Sequence, residues 1–291
     1  MAIRAPASPR PTLASSHYAR PVTGRLTRRE ADTLVLCYHA ISTNWPAALA
    51  VTLVQLREQL EWLFAHGYRG VTFSEALTSR PSYSTVAITF DDAFKSVLEQ
   101  AAPVMAELGF PGTVFVVTDF ADSHRPLSWS GIDRWIGGEH DAELRGMSWP
   151  ELQRLEQAGW EVASHTLTHP RLTTLGDDAL ARQLYGSRAA CEQALGHPVT
   201  SIAYPYGNVD DRVKRATAAA GYTAAGSLPA LMGPRDALDW PRIGIYREDS
   251  FSRFRIKTSP VVRRMRTALA PVEGAARRSL DRARPSMPTS S

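Results

Sequence analysis

Short apolar segments alternate along this chain with segments of helical periodicity. The apolar segments lie at residues 33–39, 70–73, 85–90, 113–117, 160–164, up to 203, 222–225 and 242–246. Continuous apolar runs of this kind predict strands buried on both faces, and their alternation with helices predicts a parallel sheet. With 291 residues the chain is long enough to bury a sizeable core. We therefore expect an α/β protein built on parallel strands.

Capping signals mark two of the predicted helices. Thr52 is predicted to cap a helix that ends near Gly67, and Ser148 with Glu151 forms a capping box. Further helical sequence occupies residues 93–108, 177–195 and 209–220. Residues 119–147 lack periodicity and are predicted to form an irregular excursion.

Basic residues are concentrated towards the two ends of the chain, whose formal net charge is +4. Residues 1–30 are rich in Pro, Ala, Ser and Arg and are predicted to be a disordered lead-in. We predict a catalytic domain over residues 31–258 and a basic, disordered tail over 259–291. No aromatic residues interleave with the C-terminal arginines, so nucleic-acid binding is not expected.

The same tail leaves a peripheral membrane contact open, because apolar and basic residues alternate over residues 261–284. No apolar signal region or membrane-length segment is apparent, so we expect a cytoplasmic protein that can associate with a membrane. Only Cys37 and Cys191 are present, which excludes a disulfide framework and a cysteine zinc cluster. Each cysteine is expected to be a small buried hydrophobe.

Polar motifs follow three of the predicted strands. They are Asp91-Asp92, the pair His165 and His169, and the turn Tyr204-Pro205-Tyr206-Gly207. In a parallel barrel the carboxyl ends of the strands converge on one face. We therefore expect a (β/α) barrel with a single site at that end.

The chemistry of these residues points to a metal-dependent hydrolase. Asp91 and Asp92 can face one site only if the strand ends there and the chain turns, and a metal relieves their repulsion by taking one as a ligand. The other is then free to act as a base. His165 and His169 are spaced for shared metal ligation, and Pro170 favours a turn-like loop over a helix at His169.

A family resemblance extends over residues 31–247. The segments that carry it are Tyr38-His39-Ala40-Ile41, Thr89-Phe90-Asp91-Asp92-Ala93, Ser164-His165-Thr166-Leu167-Thr168-His169 and Tyr204-Pro205-Tyr206-Gly207. In this order they resemble the polysaccharide deacetylase family of carbohydrate esterases, which includes chitooligosaccharide and poly-N-acetylglucosamine deacetylases. The resemblance implies an irregular (β/α)7-type barrel and metal-dependent removal of N-acetyl groups from an acetylated glycan, glycolipid or glycoconjugate precursor.

The resemblance also implies roles for individual residues. Asp91 would be the general base, whereas Asp92, His165 and His169 would bind Zn²⁺ or another divalent metal such as Co²⁺ or Ni²⁺. The backbone N–H of Tyr206 would stabilise the oxyanion of the tetrahedral intermediate. The motif residues Tyr204 and Pro205 are predicted to contact substrate. Trp240 is predicted to line the site, because residues 236–240 resemble an Asp-x-x-Asp-Trp motif of the family.

Two departures from the family pattern leave alternatives open. Ala203 stands where the family often has the arginine that orients the base, so we predict that Arg242 takes this place; the alternative is a surface arginine. The family usually has its general-acid histidine late in the chain, but this sequence has no histidine after His197. His39 is the predicted substitute, with a structural histidine, or proton donation by Asp91 itself, as the alternatives.

Aromatic residues near the excursion complete the set of candidates. Trp129 and Trp135 are candidates for stacking on sugars, whereas Trp149 is expected to pack at its helix start. Two other functions remain open on the sequence. One is a hydrolase for carbon–nitrogen bonds of a non-sugar amide or cyclic imide, and the other is a catalytically weak carbohydrate-binding protein.

Overall fold

The structure is a computed structural model that describes residues 31–79, 81–229 and 236–267. The predicted lead-in over residues 1–30 lies outside the described residues. The strands are β1 (Thr33–Tyr38), β2 (Ala40–Ile41), β3 (Ala50–Val51), β4 (Arg69–Val71), β5 (Thr85–Asp91), β6 (Thr113–Val116), β7 (Glu161–Ser164), β8 (Ser201–Ala203), β9 (Ala224–Ser227), β10 (Trp240–Pro241) and β11 (Ile243–Gly244). The α-helices are α1 (Leu53–Ala65), α2 (Phe73–Thr78), α3 (Ala102–Glu107), α4 (Trp149–Gln157), α5 (Asp177–Leu195), α6 (Asp211–Ala219) and α7 (Phe251–Thr258).

The main sheet is parallel and nearly closes on itself. Its strands follow the order β10-β9-β8-β7-β6-β5-β1-β11, and β4 adds to β5 beside this path. Only Arg242 separates β10 from β11, and these two strands pair with β9 and β1 at opposite ends of the order. One short stretch of chain therefore joins the two edges of the sheet, and the predicted irregular (β/α)7-type barrel is confirmed.

Capping explains where several helices begin. Thr52 accepts a hydrogen bond from the N–H of Gln55 and forms a capping box with it, as Ser148 does with Glu151. The prediction of a strand over residues 70–73 is wrong at its end. Thr72 caps a helix, α2, because its side chain and that of Glu75 form a further capping box.

Helix α2 closes one end of the barrel. Phe73 packs with residues that point into the barrel, and its N–H donates to the side chain of Thr113 at the start of β6. The N–H of Ser74 donates to Glu161 at the start of β7. The amino-terminal ends of the strands are thus covered, which leaves the carboxyl-terminal ends for the site.

The C-terminal region differs from the prediction of a disordered tail beginning at residue 259. Residues 260–267 are helical, and Arg263 is buried and forms an ion pair with Asp32. This pair ties the segment to the start of β1, a contact that basic composition alone does not reveal. Residues 268–291 lie outside the described residues. No helix among the described residues is long and apolar enough to span a membrane.

Candidate active site

The adjacent aspartates lie where β5 ends and the chain turns. Asp91 is the last residue of the strand, while Asp92 and Ala93 adopt left-handed backbone conformations with φ of 73° and 59°. This turn lets two neighbouring side chains face one site, although they would point to opposite faces of a continued strand. It also delays the predicted helix from Ala93, since helical structure begins only at Lys95 and passes through a π-helical turn over Val97–Ala101 before α3.

The two histidines lie on a loop rather than a helix, as Pro170 predicts. Thr166 and His169 have left-handed φ values of 70° and 61°, and the N–H of His169 donates to the Thr166 hydroxyl. The amide oxygen of Gln183 on α5 accepts the N–H groups of Leu167 and Thr168. These bonds hold the loop so that both imidazoles face Asp92.

Asp92, His165 and His169 form a cluster that we call the metal trio. The Asp92 Oδ1 atom lies 3.4 Å from Nε2 of His165 and 3.4 Å from Nε2 of His169. Ligand atoms bound at about 2.0–2.1 Å to one tetrahedral ion lie about 3.3–3.4 Å from each other. The spacing of the metal trio therefore fits a single divalent cation.

The hydrogen bonds of the metal trio support the same assignment. His165 Nδ1 lies 2.8 Å from the carbonyl oxygen of Ala203, which can only accept, so Nδ1 carries the proton and Nε2 presents a lone pair. Burial lowers the pKa of His165 to about 4, and the ring is neutral at neutral pH. Asp92 Oδ1 is buried without a hydrogen-bond partner. Lone pairs that face one another across a buried gap are the donor set of a metal site.

The electrostatic environment of Asp92 disfavours its ionised carboxylate. Burial, followed by the neighbouring charge of Asp91, raises the pKa of Asp92 well above its ordinary value. A bound cation would reverse this effect by stabilising the carboxylate. The residues of the metal trio thus fit a metal in donor type, spacing and charge.

Asp91 has the opposite electrostatic environment, because Arg242 lies against it. The guanidinium donates through Nη1 to Asp91 Oδ1 at 2.6 Å and through Nη2 to Oδ2 at 2.8 Å. Burial by itself opposes ionisation, but the charge and hydrogen bonds of Arg242 hold the pKa of Asp91 below its ordinary value. Arg242 is buried between β10 and β11 and not at the surface. The carboxylate is therefore ionised and fixed in orientation.

Two further residues complete what we call the base cluster, Asp91, Arg242, Cys37 and His39. One ligand-type atom from each of Cys37, His39 and Asp91 lies within 4.8 Å of the others. Burial lowers the pKa of His39 even though the Asp91 charge acts in the other direction, and its Nδ1 is buried without a partner. His39 therefore faces the same mouth as the aspartates.

Tyr206 borders the metal trio. Its ring centroid lies 4.6 Å from that of His169, and its backbone is left-handed with φ of 60°. Trp129 from the irregular excursion also stacks on the His169 ring, with ring centroids 4.3 Å apart and an interplanar angle of 26°. The excursion over residues 119–147 thus reaches the site, and Trp129 lies against a predicted metal ligand.

Three predicted substrate contacts are not supported by the structure. Tyr204 is fully buried among apolar residues between barrel and helices, and its hydroxyl donates to the carbonyl of Leu238. It points outward because Ala203, its neighbour along the strand, points into the barrel. Pro205 is also buried. Trp240 is partly buried and packs against residues inside the barrel, two residues before Arg242.

The contact of Cys37 with Asp91 and the position of Tyr246 were not predicted from the sequence. The Tyr246 ring stacks beside His39, with centroids 6.5 Å apart, and is 37% exposed. Strand alternation offered a signal for Cys37, because residues two apart share a face and Cys37 lies two residues before His39. Tyr246 lies beyond β11 and carried no such signal.

Comparison with known proteins identifies the family. The family model described as polysaccharide deacetylase matches residues 78–225. The chain belongs to the polysaccharide deacetylase family. The matched segment contains the whole metal trio and Asp91, whereas Cys37, His39 and Arg242 lie outside it.

Individual relatives agree with this membership. The chain is 31% identical to the chitooligosaccharide deacetylase of Sinorhizobium fredii over 173 residues, which are 58% of this chain and 64% of that protein. It therefore spans less than two thirds of that relative. It is 24% identical to the poly-beta-1,6-N-acetyl-D-glucosamine N-deacetylase of Staphylococcus aureus over 214 residues, 64% of this chain and 69% of that one.

A solved structure shows the same fold. The Streptococcus pyogenes deacetylase PplD in complex with acetate superposes with a TM-score of 0.66 at 22% identity, covering 79% of this chain and 100% of that chain. At this level of identity the likeness concerns the fold alone.

Proposed function

We propose that this chain is a metal-dependent hydrolase that removes N-acetyl groups from an acetamido sugar in a glycan, glycolipid or glycoconjugate precursor. The observation that carries the proposal is the metal trio beside an ionised carboxylate, Asp91, which Arg242 fixes in orientation. Family membership and the names of the two relatives, both N-acetylglucosamine-related deacetylases, support the substrate class.

Asp92, His165 and His169 would hold the metal. Zn²⁺ is the proposed ion, with Co²⁺ or Ni²⁺ as candidates, because two imidazoles and one carboxylate are typical ligands of a catalytic zinc site with open positions. A divalent cation at such a site lowers the pKa of water and polarises a carbonyl group.

Asp91 would act as the general base. Its low pKa keeps the carboxylate ionised at neutral pH, and Oδ2 lies 3.9 Å from Nε2 of His165. The carboxylate thus borders the space in front of the metal trio, where it can take a proton from an attacking water. Arg242 would hold the carboxylate plane while the proton moves.

Tyr206 would stabilise the oxyanion, and His39 would protonate the leaving group. The backbone N–H of Tyr206 is proposed to donate to the oxyanion, because Tyr206 lies beside His169. His39 is proposed to pass a proton to the departing amine. His39→Ala should then lower turnover more than it weakens metal binding, and wild-type turnover in this variant would remove His39 from the mechanism.

An acetate-release screen tests the proposed function. Purified protein would be supplied with Zn²⁺, Co²⁺ or Ni²⁺ and assayed on N-acetylglucosamine oligomers, acetylated glycans and lipid-linked acetamido sugars, with cyclic ureides as non-sugar substrates. We expect acetate from at least one sugar and none from Asp91→Asn. Uniform silence across the sugars would contradict the proposal, and turnover of ureides alone would support the non-sugar alternative.

One argument for the alternative hypothesis, a catalytically weak carbohydrate-binding protein, is weakened by the structure. Ala203 suggested that the base lacked its arginine, but Arg242 supplies a two-point contact to the same carboxylate. Glycan binding without acetate release, in protein reconstituted with metal, would still favour that reading.

A peripheral membrane contact is proposed for the C-terminal segment. Val261 and Met265 lie one helical turn apart and are 66% and 60% exposed, next to the exposed side chain of Arg266. Co-sedimentation with anionic liposomes should weaken in a Val261→Ser/Met265→Ser variant and in a chain ending at residue 267. Unchanged co-sedimentation in both would contradict the contact. The cytoplasmic location stays a prediction.

A further inference from the structure

Cys37 contacts the proposed base directly, although the mechanism above assigns it no task. The residue lies in β1 and is fully buried. Its Sγ atom is 3.3 Å from Asp91 Oδ2, whereas its only other acceptor among the described residues, the Tyr38 carbonyl oxygen, is 3.7 Å away. The shorter contact is to the charged acceptor, which favours it further.

The donor types of Cys37, His39 and Asp91 would also suit a second cation. Arg242 argues against that interpretation, because its guanidinium donates to both carboxylate oxygens of Asp91. A cation bound to the same carboxylate would have to displace this buried positive charge or lie beside it, and either is costly. The cluster is better described as one carboxylate surrounded by hydrogen-bond donors.

The protonation state of the cysteine agrees with a donor. Burial raises the pKa of the Cys37 thiol well above its ordinary value, although the charge of Arg242 acts in the other direction. The sulfur therefore carries its proton at neutral pH. Arg242 donates to both oxygens of Asp91, so this carboxylate serves as an acceptor and the S–H group is the donor in the contact.

We propose that Cys37 is a positioning residue for the base: its S–H group donates to Asp91 Oδ2 and, together with Arg242, fixes the orientation of the carboxylate. This inference rests on the proposed function and deepens it. Arg242 Nη1 occupies Oδ1, while Nη2 and the thiol both bind Oδ2. Oδ2 is also the oxygen that lies 3.9 Å from His165 Nε2, so the thiol bonds to the oxygen nearest the metal trio.

Kinetics on matched variants test the positioning role. A thiol is a weak donor, so Cys37→Ala should lower kcat about three- to tenfold with little change in KM. Cys37→Ser keeps a donor and should recover kcat to within about twofold of wild type. Cys191→Ala is the matched control, because Cys191 is equally buried in the core but its thiol has no hydrogen bond among the described residues. Unchanged kcat in Cys37→Ala, or equal loss in the alanine and serine variants, would overturn the proposal.

Infrared spectroscopy tests the hydrogen bond without any turnover. The Cys191→Ala variant retains only the Cys37 thiol, and Cys37→Ala retains only that of Cys191. We expect the S–H stretching band of Cys37 at a lower frequency than that of Cys191, because donation to a carboxylate weakens the S–H bond. A missing Cys37 band, or one at the Cys191 frequency, would overturn the proposal. If wild-type protein releases no acetate, the proposed function fails, while the band still decides the Cys37 contact.

Discussion

The metal trio and the base cluster share one pair of adjacent aspartates but draw their other residues from different parts of the chain. Both histidines of the metal trio come from a single loop after β7. The base cluster instead joins residues from the first and last strands of the barrel. Arg242 lies 151 residues from Asp91, and Cys37 lies 54 residues from it.

Their electrostatics differ in the same way. Burial and the charge of Asp91 raise the pKa of Asp92, whereas Arg242 outweighs burial and lowers the pKa of Asp91. The Arg242 guanidinium binds the carboxylate of Asp91 and does not bind that of Asp92. This difference assigns the two aspartates separate tasks, since the uncompensated Asp92 is suited to a metal and the compensated Asp91 to proton transfer.

Loss of a histidine ligand should have the largest effect on metal affinity and should leave the base cluster intact. We expect His169→Ala to weaken metal affinity more than about 100-fold, because even changes to residues behind metal ligands cost about 10–100-fold. Isothermal titration calorimetry with Zn²⁺ measures this. His197→Ala is the control, as His197 is an exposed histidine paired with Glu156. Unchanged Zn²⁺ affinity in His169→Ala would contradict the assignment of the metal trio.

Metal removal should also lower thermal stability. Metal at about 100 times its Kd stabilises the folded protein by about 2.7 kcal/mol, equivalent to about 5–10 °C in Tm for a domain of this size. Scanning fluorimetry with and without a chelator should show this shift in wild type and lose it in His169→Ala. Equal shifts in the two proteins would place the bound metal elsewhere.

Arg242→Lys should affect the base cluster and spare the metal trio. Lysine keeps the charge but cannot donate to both oxygens of Asp91 through a planar fork, so we expect kcat to fall about 10–100-fold with metal affinity retained. Arg263→Lys provides the control, because Arg263 is also a buried arginine in an ion pair, with Asp32. Full kcat in Arg242→Lys would show that the two-point contact is not needed.

Trp129→Leu should have the smallest effect and should be confined to the metal side. The indole stacks on His169 at 4.3 Å, so its loss should loosen that ligand and weaken Zn²⁺ binding about two- to tenfold. Trp62→Leu, a partly buried tryptophan on α1, is the control. Unchanged Zn²⁺ affinity with a raised KM for glycan would instead assign Trp129 to sugar stacking.

The barrel and the metal trio could be predicted from sequence because their signals are local. Apolar runs mark the strands, and Asp92, His165 and His169 each follow a strand within a short motif. Convergence of strand ends in a parallel barrel then brings them together without knowledge of any particular long-range contact. The resemblance to a known family added their roles.

The base cluster depends on long-range pairing that the sequence does not encode locally. The contact of Arg242 with Asp91 follows from the closure of the barrel through β10 and β11, and a surface arginine remained an equally reasonable interpretation before that closure was known. Cys37 meets Asp91 because β1 pairs with β5. Tyr204 lies away from the site for a local reason, since strand alternation points it out of the barrel, opposite to Ala203.

Metal content and acetate release in Asp91→Asn and Asp92→Asn test the division of tasks most directly. Both variants remove one charge from adjacent residues, so each serves as the control for the other. We predict that Asp91→Asn retains stoichiometric Zn²⁺ by atomic absorption while acetate release falls at least about 1,000-fold. Asp92→Asn should lose the metal. Loss of metal from Asp91→Asn, or full retention in Asp92→Asn, would contradict the separation of the two aspartates.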